Sequence, residues 1–396
     1  MNTRKRTGCA KILLVTVASL TGLCLLLAAL SAVINSSQPT RSAVTDRLSE
    51  VEKARLAEAI HLRQTLGNAV LPGWAEADIP FIVYNEEMLF LIGVENPADG
   101  WQKVPQGTQV GGAWEAVPGD SFYGETYYRQ NYPAPGVTSQ AFTVQVGDHW
   151  AASLSTYEWT RIALVEQIVG DFPTPIRQII PAPLLRGLLL PGSDAYASMF
   201  LHEATHAYQG IRDPQRINAA ERAAQKTEPL YPWEDEAHRE AWQAELDLLH
   251  NAMRAETQKE TLRLARTFLD HRAERRKAAG LSDDMISLER LKEWEEGIAK
   301  YSERMIYLLA MQEPAYQPLP EVMQDGDFHN YRQAQQKWDQ EVDQMRRMAG
   351  DAGDGRFYYT GFAQAVLLDR LSPGWKDRLF DENMWLEDLL TEAVSE

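Results

Sequence analysis

His202 and His206 stand four residues apart, and Glu203 follows the first of them, in the pattern His-Glu-x-x-His. On a helix, residues four apart lie on one face, so both imidazoles can reach one metal ion. Glu203 can lean over the same ion, take a proton from a metal-bound water and later pass one to a leaving amine. Two imidazoles and one carboxylate leave a fourth position open for water, which suits zinc. The pattern therefore predicts a zinc site with hydrolytic chemistry.

The sequence around this pattern predicts a buried helix. Pro191 and Gly192 break the chain before it, Ser193 or Asp194 can cap its first turn, and Gly210 can end it. Most residues between these signals are apolar, as expected for a helix that carries an active site inside a core.

A third ligand must come from the helical sequence that follows, where four glutamates are candidates: Glu234, Glu236, Glu245 and Glu296. Glu245 lies on the apolar face of its predicted helix. Glu296 is preferred because Gly297 follows it, and a glycine inside a helix costs about 1 kcal/mol relative to alanine. Close approach of a second helix would explain that glycine. Glu296 lies off the main apolar stripe of its own helix, so all four candidates stay open.

Three segments together resemble the gluzincin metallopeptidases, and among them those with an aminopeptidase-like (peptidase-MA-like) catalytic domain. They are residues 202–206, the Glu-Gly-x-Ala-x-Tyr-x-Glu stretch at 296–303, and Tyr-x-x-Gly at 358–361. The resemblance spans roughly residues 191–390. It implies that His202, His206 and Glu296 are zinc ligands and that Glu203 is the general base. It also implies that Tyr358, or Tyr359 in its place, holds the oxyanion of the tetrahedral intermediate.

The sequence departs from the family pattern at two points. The gap of 90 residues between His206 and Glu296 is longer than in compact members, which predicts a helical insertion and keeps the other glutamates open as ligands. Aminopeptidases of this kind also carry a Gly-x-Met-Glu-Asn segment. The nearest sequence here, at 112–116, lacks its Met and Asn, so exopeptidase activity is not implied.

The balance of charged residues narrows the classes of function that this protein could have. The chain has 396 residues, 39 basic against 56 acidic, and a net charge of −17. Because nucleic-acid-binding surfaces are basic, this balance argues against a nucleic-acid partner.

The two cysteines, Cys9 and Cys24, both precede residue 35. The rest of the chain therefore has no disulfide framework, no thiol nucleophile and no cysteine ligand.

The N-terminus predicts a membrane anchor. Residues 12–34 contain no charge and are long enough to span a bilayer, and four basic residues precede them. By the positive-inside rule, residues 1–11 form a cytoplasmic basic tail and the body lies outside the cytoplasm. We therefore expect a single-pass protein of the cell membrane, or a secreted one if this segment is cleaved as a signal peptide.

The remaining chain predicts a helix-dominated α+β fold. Residues 35–78 are interpreted as a linker and stalk helix, 79–190 as a lobe containing a small sheet, and 191–396 as a helical, zincin-like metallopeptidase lobe. Strands are expected at 81–84 and 88–94, with a hairpin around Gly147. The helical lobe is expected to hold a long helix within 232–279, with a break inside it. His238, His250 and His271 are expected to face solvent, and the basic run 272–277 is expected to be a helix face or end.

These observations predict a membrane-anchored zinc metallopeptidase that acts on peptides or proteins, with Glu203 as the general base. The alternative is a non-catalytic, anchored binding or scaffold protein that retains a zincin-like metal site. The two differ in whether a bound zinc ion supports turnover.

Overall fold

A computed structural model of the chain describes residues 4–104, 107–132, 144–170, 173 and 191–395. They divide into two compact units. The first comprises Met1–Thr45 and Thr156–Pro191. The second, which we call the body, comprises Asp46–Ser155 and Gly192–Glu396.

The helices of the described residues follow one another along the chain, with short 3₁₀ turns between some of them. They are α1 (Arg4–Ser36), α2 (Glu50–Val70), α3 (Tyr157–Gly170), α4 (Ser193–Arg212), α5 (Pro214–Lys226), α6 (Glu236–Arg254), α7 (Gln258–Ala278), α8 (Asp283–Lys292), α9 (Ile298–Gln312), α10 (Ala334–Gln344), α11 (Gly355–Leu371) and α12 (Leu386–Ser395). A π-helical turn, Glu293–Gly297, joins α8 to α9.

In the first unit, α1 carries the apolar N-terminal sequence. Its segment Leu14–Ser36 has a mean hydropathy of 2.4 and is long and apolar enough to cross a membrane. Ten large apolar side chains between Leu14 and Val33 are exposed, by 52–73%. The predicted N-terminal apolar helix is therefore confirmed.

Among its described residues, the body contains one seven-stranded sheet, in the order β3-β6-β7-β1-β2-β5-β4. Its strands are β1 (Phe81–Tyr84), β2 (Met88–Ile92), β3 (Gln102–Lys103), β4 (Glu115–Ala116), β5 (Tyr128–Asn131), β6 (Val144–Val146) and β7 (His149–Ser155). β1 and β7 are parallel, and the other neighbours are antiparallel. The predicted strands at 81 and 88 and the hairpin turn at Gly147 are confirmed. Residues 141–143 of the hairpin lie outside the described residues, and β3, β4 and β5 were not predicted.

The central strands β1 and β2 are buried on both faces, which explains their continuous apolar sequence. Ile82 and Leu91 belong to a core within the sheet itself. Phe81, on the opposite face of β1, packs against Phe200 of α4, with 4.4 Å between ring centroids. The sheet therefore supports α4 directly, and the fold is helix-dominated α+β as predicted.

α2 is packed into the body instead of standing free as a stalk. Ser49 caps it by accepting a hydrogen bond from the Glu52 amide. The fully buried Glu58 accepts hydrogen bonds from the hydroxyls of Tyr316 and Tyr331, at 2.7 and 2.6 Å. These bonds tie the first helix of the body to the segment that follows α9.

The expectation that His238 faces solvent is wrong, and two arginines of the basic run are buried as well, whereas Lys277 is exposed. The predicted break in the long helix falls between α6 and α7, and the two helices then face each other. This arrangement buries Arg272 and Arg275 at 2% exposure. Both guanidinium groups contact the carboxylate of Glu245, at 2.7 and 2.6 Å. His238 is also buried, at 3% exposure, and its Nε2 lies 3.1 Å from Trp242 Nε1.

α11 crosses the π turn where two glycines, Gly297 of the turn and Gly361 of α11, lie against each other. A methyl group on Gly297 would lie less than 3 Å from the Cα of Gly361, and one on Gly361 would meet the carbonyl oxygen of Glu293 equally closely. Two backbones can approach this closely only when neither residue has a side chain. The close approach expected from Gly297 is therefore present, and its partner is Gly361 of α11.

Candidate metal centre

α4 carries the two histidines one turn apart on one face. Their rings meet edge to face with 4.9 Å between centroids, and their Nε2 atoms are 3.2 Å apart. Gly192, and not Ser193 or Asp194, is the N-cap residue. Asp194 lies in the first turn, where its carboxylate accepts hydrogen bonds from the Ala195 and Tyr331 amides.

The end of α4 also differs from the prediction, because Gly210 lies inside the helix. The helix continues to Arg212. A side chain at position 210 would overlap the ring of Trp150 on β7. Gly210 therefore allows the helix to lie close to the sheet and does not terminate it.

Glu296 of the π turn completes a three-residue cluster with the histidines. Its Oε2 lies 3.5 Å from His202 Nε2 and 3.3 Å from His206 Nε2. Ligand atoms about 2.0–2.1 Å from a tetrahedral zinc ion stand about 3.3–3.4 Å apart, so the triangle of these three atoms fits one face of such a shell. Oε2 is buried and has no hydrogen-bond partner. Because an orphaned buried oxygen is costly, the donor set fits a metal ion. The His-His-Glu cluster could therefore hold one.

The other three glutamates lie elsewhere. Glu245 is fully buried and engaged by Arg272 and Arg275. Glu234 and Glu236 are exposed at the start of α6. Of the four candidates, the structure brings only Glu296 to the histidines.

Two further residues contact the outer nitrogens of the histidines. Glu303 Oε2 lies 3.5 Å from His202 Nδ1, and Gln209 Oε1 lies 3.1 Å from His206 Nδ1. Gln209 also donates to the carbonyl of Trp294 at 2.6 Å. Such partners orient an imidazole so that its other nitrogen faces the metal. Neither role was predicted from the sequence, although Gln209 follows His206 by three residues and Glu303 follows Glu296 by two turns.

Glu303 is itself held in place by cations. Its carboxylate contacts Arg304 at 2.8 Å and Lys300 at 3.6 Å. Burial opposes ionisation, but these cations and His202 hold the pKa of Glu303 far below its usual range. An ionised carboxylate beside His202 Nδ1 favours the tautomer that leaves Nε2 free to bind a metal.

The charges of the cluster attract each other when no metal is bound. Burial alone would lower the pKa of His206, but the Glu296 carboxylate raises it to about 10. Burial also opposes the charge of Glu296, yet Lys292 and the two histidines keep its pKa well below the usual range. The metal-free cluster is therefore an ion pair, and a metal must displace the proton.

Glu203 lies beside the histidines, half-buried, on the same helix. Burial raises its pKa above the usual value, and the two histidines oppose that shift. A carboxylate whose pKa is raised towards neutrality is a better general base at neutral pH.

Tyr358 of α11 reaches the cluster as well. Its ring stacks on His202, with 5.7 Å between centroids and 8° between planes. Burial and the Glu296 carboxylate raise the pKa of Tyr358 well above its usual value, so the hydroxyl remains a hydrogen-bond donor. Tyr359 points elsewhere and donates to Glu341 at 2.6 Å. The structure thus brings Tyr358, and not Tyr359, to the histidines.

No protein-family model matches this chain, and neither a curated protein nor a solved structure matches it. The functional assignment therefore depends on the geometry of this centre.

Proposed function

We propose that the body is a zinc metallopeptidase of the gluzincin type, which hydrolyses peptide bonds in peptide or protein substrates. The observation that carries the proposal is the triangle formed by His202 Nε2, His206 Nε2 and Glu296 Oε2, with edges of 3.2 to 3.5 Å. Two imidazoles and one carboxylate are a ligand set of catalytic zinc, which keeps a fourth position open for water or substrate.

The chain supplies a proton acceptor, Glu203, and a hydrogen-bond donor, Tyr358, beside the histidines. A zinc ion held by His202, His206 and Glu296 would lower the pKa of a bound water and would polarise a carbonyl group. Glu203 accepts the proton of the attacking water and later delivers it to the leaving amine. The hydroxyl of Tyr358 donates a hydrogen bond to the oxygen on which negative charge develops.

The family assignment is supported by the order and placement of the three motifs. His-Glu-x-x-His, Glu-Gly-x-Ala-x-Tyr and Tyr-x-x-Gly lie far apart in the sequence, and their functional side chains meet at one point. Chance similarity of short motifs gives no reason for such convergence. The Gly297–Gly361 contact supports the same arrangement, because it holds the second and third motifs against each other.

We further propose that α1 anchors the protein in the cell membrane with its N-terminus in the cytoplasm. The four basic residues before position 12 support this orientation. The body would then act outside the cytoplasm.

The test compares wild type with Glu203→Gln, which removes the general base and leaves the three ligands in place. Purified full-length protein is incubated with a library of fluorogenic peptides, and zinc is measured in the same samples. We expect peptide cleavage to fall about 10²–10⁴-fold in the variant, at unchanged zinc content. Glu313→Gln, at an exposed site, serves as the control and should match wild type. Bound zinc without cleavage in wild type would favour the binding or scaffold protein instead.

A further inference from the structure

Lys292, the last residue of α8, is buried with 3% of its surface exposed. A buried ammonium group is stable only when acceptors meet its three N–H donors. Its Nζ lies 2.7 Å from Glu295 Oε2, 3.3 Å from Glu296 Oε1 and 3.5 Å from Asp354 Oδ2. Three carboxylates therefore surround the ammonium group, and one of them belongs to the proposed third zinc ligand.

The two oxygens of Glu296 consequently have different environments. Oε1 accepts the hydrogen bond from Lys292. Oε2 faces the Nε2 atoms of the two histidines and has no hydrogen-bond partner. Because the carboxylate is planar, a bond that fixes Oε1 also fixes the direction in which Oε2 points.

We propose that Lys292 is a positioning residue that holds Oε1 of Glu296 away from the metal, so that the glutamate binds through Oε2 alone. The inference rests on the metal centre of the proposed function. With one oxygen from Glu296 and one nitrogen from each histidine, a tetrahedral ion keeps a position for water. A glutamate that bound through both oxygens would occupy that position. Residues that touch a ligand from outside commonly set its orientation in this way.

Lys53 offers a matched control. Its side chain is also buried, at 5% exposure, and its Nζ contacts Glu50 at 2.8 Å and Asp120 at 2.5 Å. It lies on α2 and touches neither the histidines nor Glu296. Lys53→Met therefore removes a comparable buried ammonium group without altering the contacts of the ligand.

The experiment determines how Glu296 binds zinc. Zinc-loaded full-length wild type is crystallised, and the number of zinc ligands in wild type, Lys292→Met and Lys53→Met is measured by X-ray absorption at the zinc edge. In wild type we expect Oε2 on the metal and Oε1 on Lys292. In Lys292→Met we expect a gain of one oxygen ligand, whereas Lys53→Met should keep the wild-type number.

Two results would overturn the proposal while leaving the metal centre intact. One is a zinc-loaded wild type in which both oxygens of Glu296 bind the ion, and this result needs no variant to fold. The other is a folded Lys292→Met protein with an unchanged ligand number. A wild type that binds no zinc would overturn the proposed function itself, and this inference with it.

Discussion

Glu245→Gln removes one negative charge from the most deeply buried ion pairs of the body. The carboxylate has no exposed surface, and it accepts hydrogen bonds from Arg272 Nε at 2.8 Å and Arg275 Nε at 2.6 Å. An amide can accept from one guanidinium group, but its NH₂ group would then face the other. One arginine therefore loses one of its acceptors in a place where water cannot replace it, although Arg272 keeps Glu293 and Arg275 keeps Glu289.

The magnitude follows from this burial. Losing a buried hydrogen bond to a charged group costs about 1.5–3 kcal/mol. An unfolding entropy of about 2.1 cal/mol/K per residue, for a body of roughly 300 residues, converts that loss into a Tm lower by about 2–5 °C. The zinc content should not change, because Glu245 lies outside the His-His-Glu cluster.

The assay is thermal unfolding followed by near-UV circular dichroism, with zinc measured per folded chain. Glu240→Gln, on the exposed face of the same helix, is the control and should lie within about 0.5 kcal/mol of wild type. A Tm shift below about 1 °C for Glu245→Gln, no larger than that of the control, would refute the energetic reasoning. Loss of zinc from folded Glu245→Gln would refute the assignment of this residue to structure alone.

Three further predictions concern the centre itself. Gly361→Ala places a methyl group against the π turn, so we expect the protein to be destabilised by about 1–3 kcal/mol. We also expect it to bind zinc more weakly, as measured by competition with a chelator. Gly374→Ala, whose added methyl group meets open space, is the control and should change neither stability nor zinc binding. The raised pKa of His206, about 10 without metal, gives stability that is complete below about pH 6.5 and lost as the pH rises through 10. Calorimetry should therefore show the Tm of chelator-treated protein falling from pH 7 to 10, and an unchanged Tm would contradict the ion pair. Tyr358→Phe should slow peptide cleavage about 10²–10³-fold with zinc retained, and Tyr359→Phe should leave the rate near wild type. Equal rates for both variants would remove Tyr358 from the mechanism.

Local sequence signals predicted the parts of the centre that depend on short-range geometry. The spacing of four residues puts His202 and His206 on the same helix face, so it was enough to predict that both side chains reach one site. The unusual Gly297 correctly indicated a second helix in close contact. These signals work because each involves only one or two turns of backbone.

The position of Glu296 on its helix could not be read from a helical wheel. A wheel assumes 3.6 residues per turn, whereas Glu293–Gly297 forms a π turn. The residues around Glu296 in this turn, Glu293, Trp294, Glu295 and Gly297, are all buried, so a position off the apolar stripe still faces the protein interior and reaches the histidines. Local sequence gave no indication of the π turn, because hydrogen bonds to i+5 leave no pattern in residue types.

The burial of Arg272 and Arg275 in α7 was not predicted from the sequence, for a different reason. A run of arginines looks the same whether it faces water or buried carboxylates. The partners of Arg272 lie 27, 21 and 115 residues away in the chain. Pairing over such separations depends on how the helices pack, so it became visible only in the folded structure.

The most direct test of the metal centre is the zinc content of full-length protein, measured in wild type, Glu296→Ala and Glu245→Gln. The geometry predicts about one zinc ion per wild-type chain, its loss from Glu296→Ala, and its retention by folded Glu245→Gln. A wild-type protein without zinc, or a Glu296→Ala variant that binds zinc as tightly as wild type, would contradict the metal centre described above.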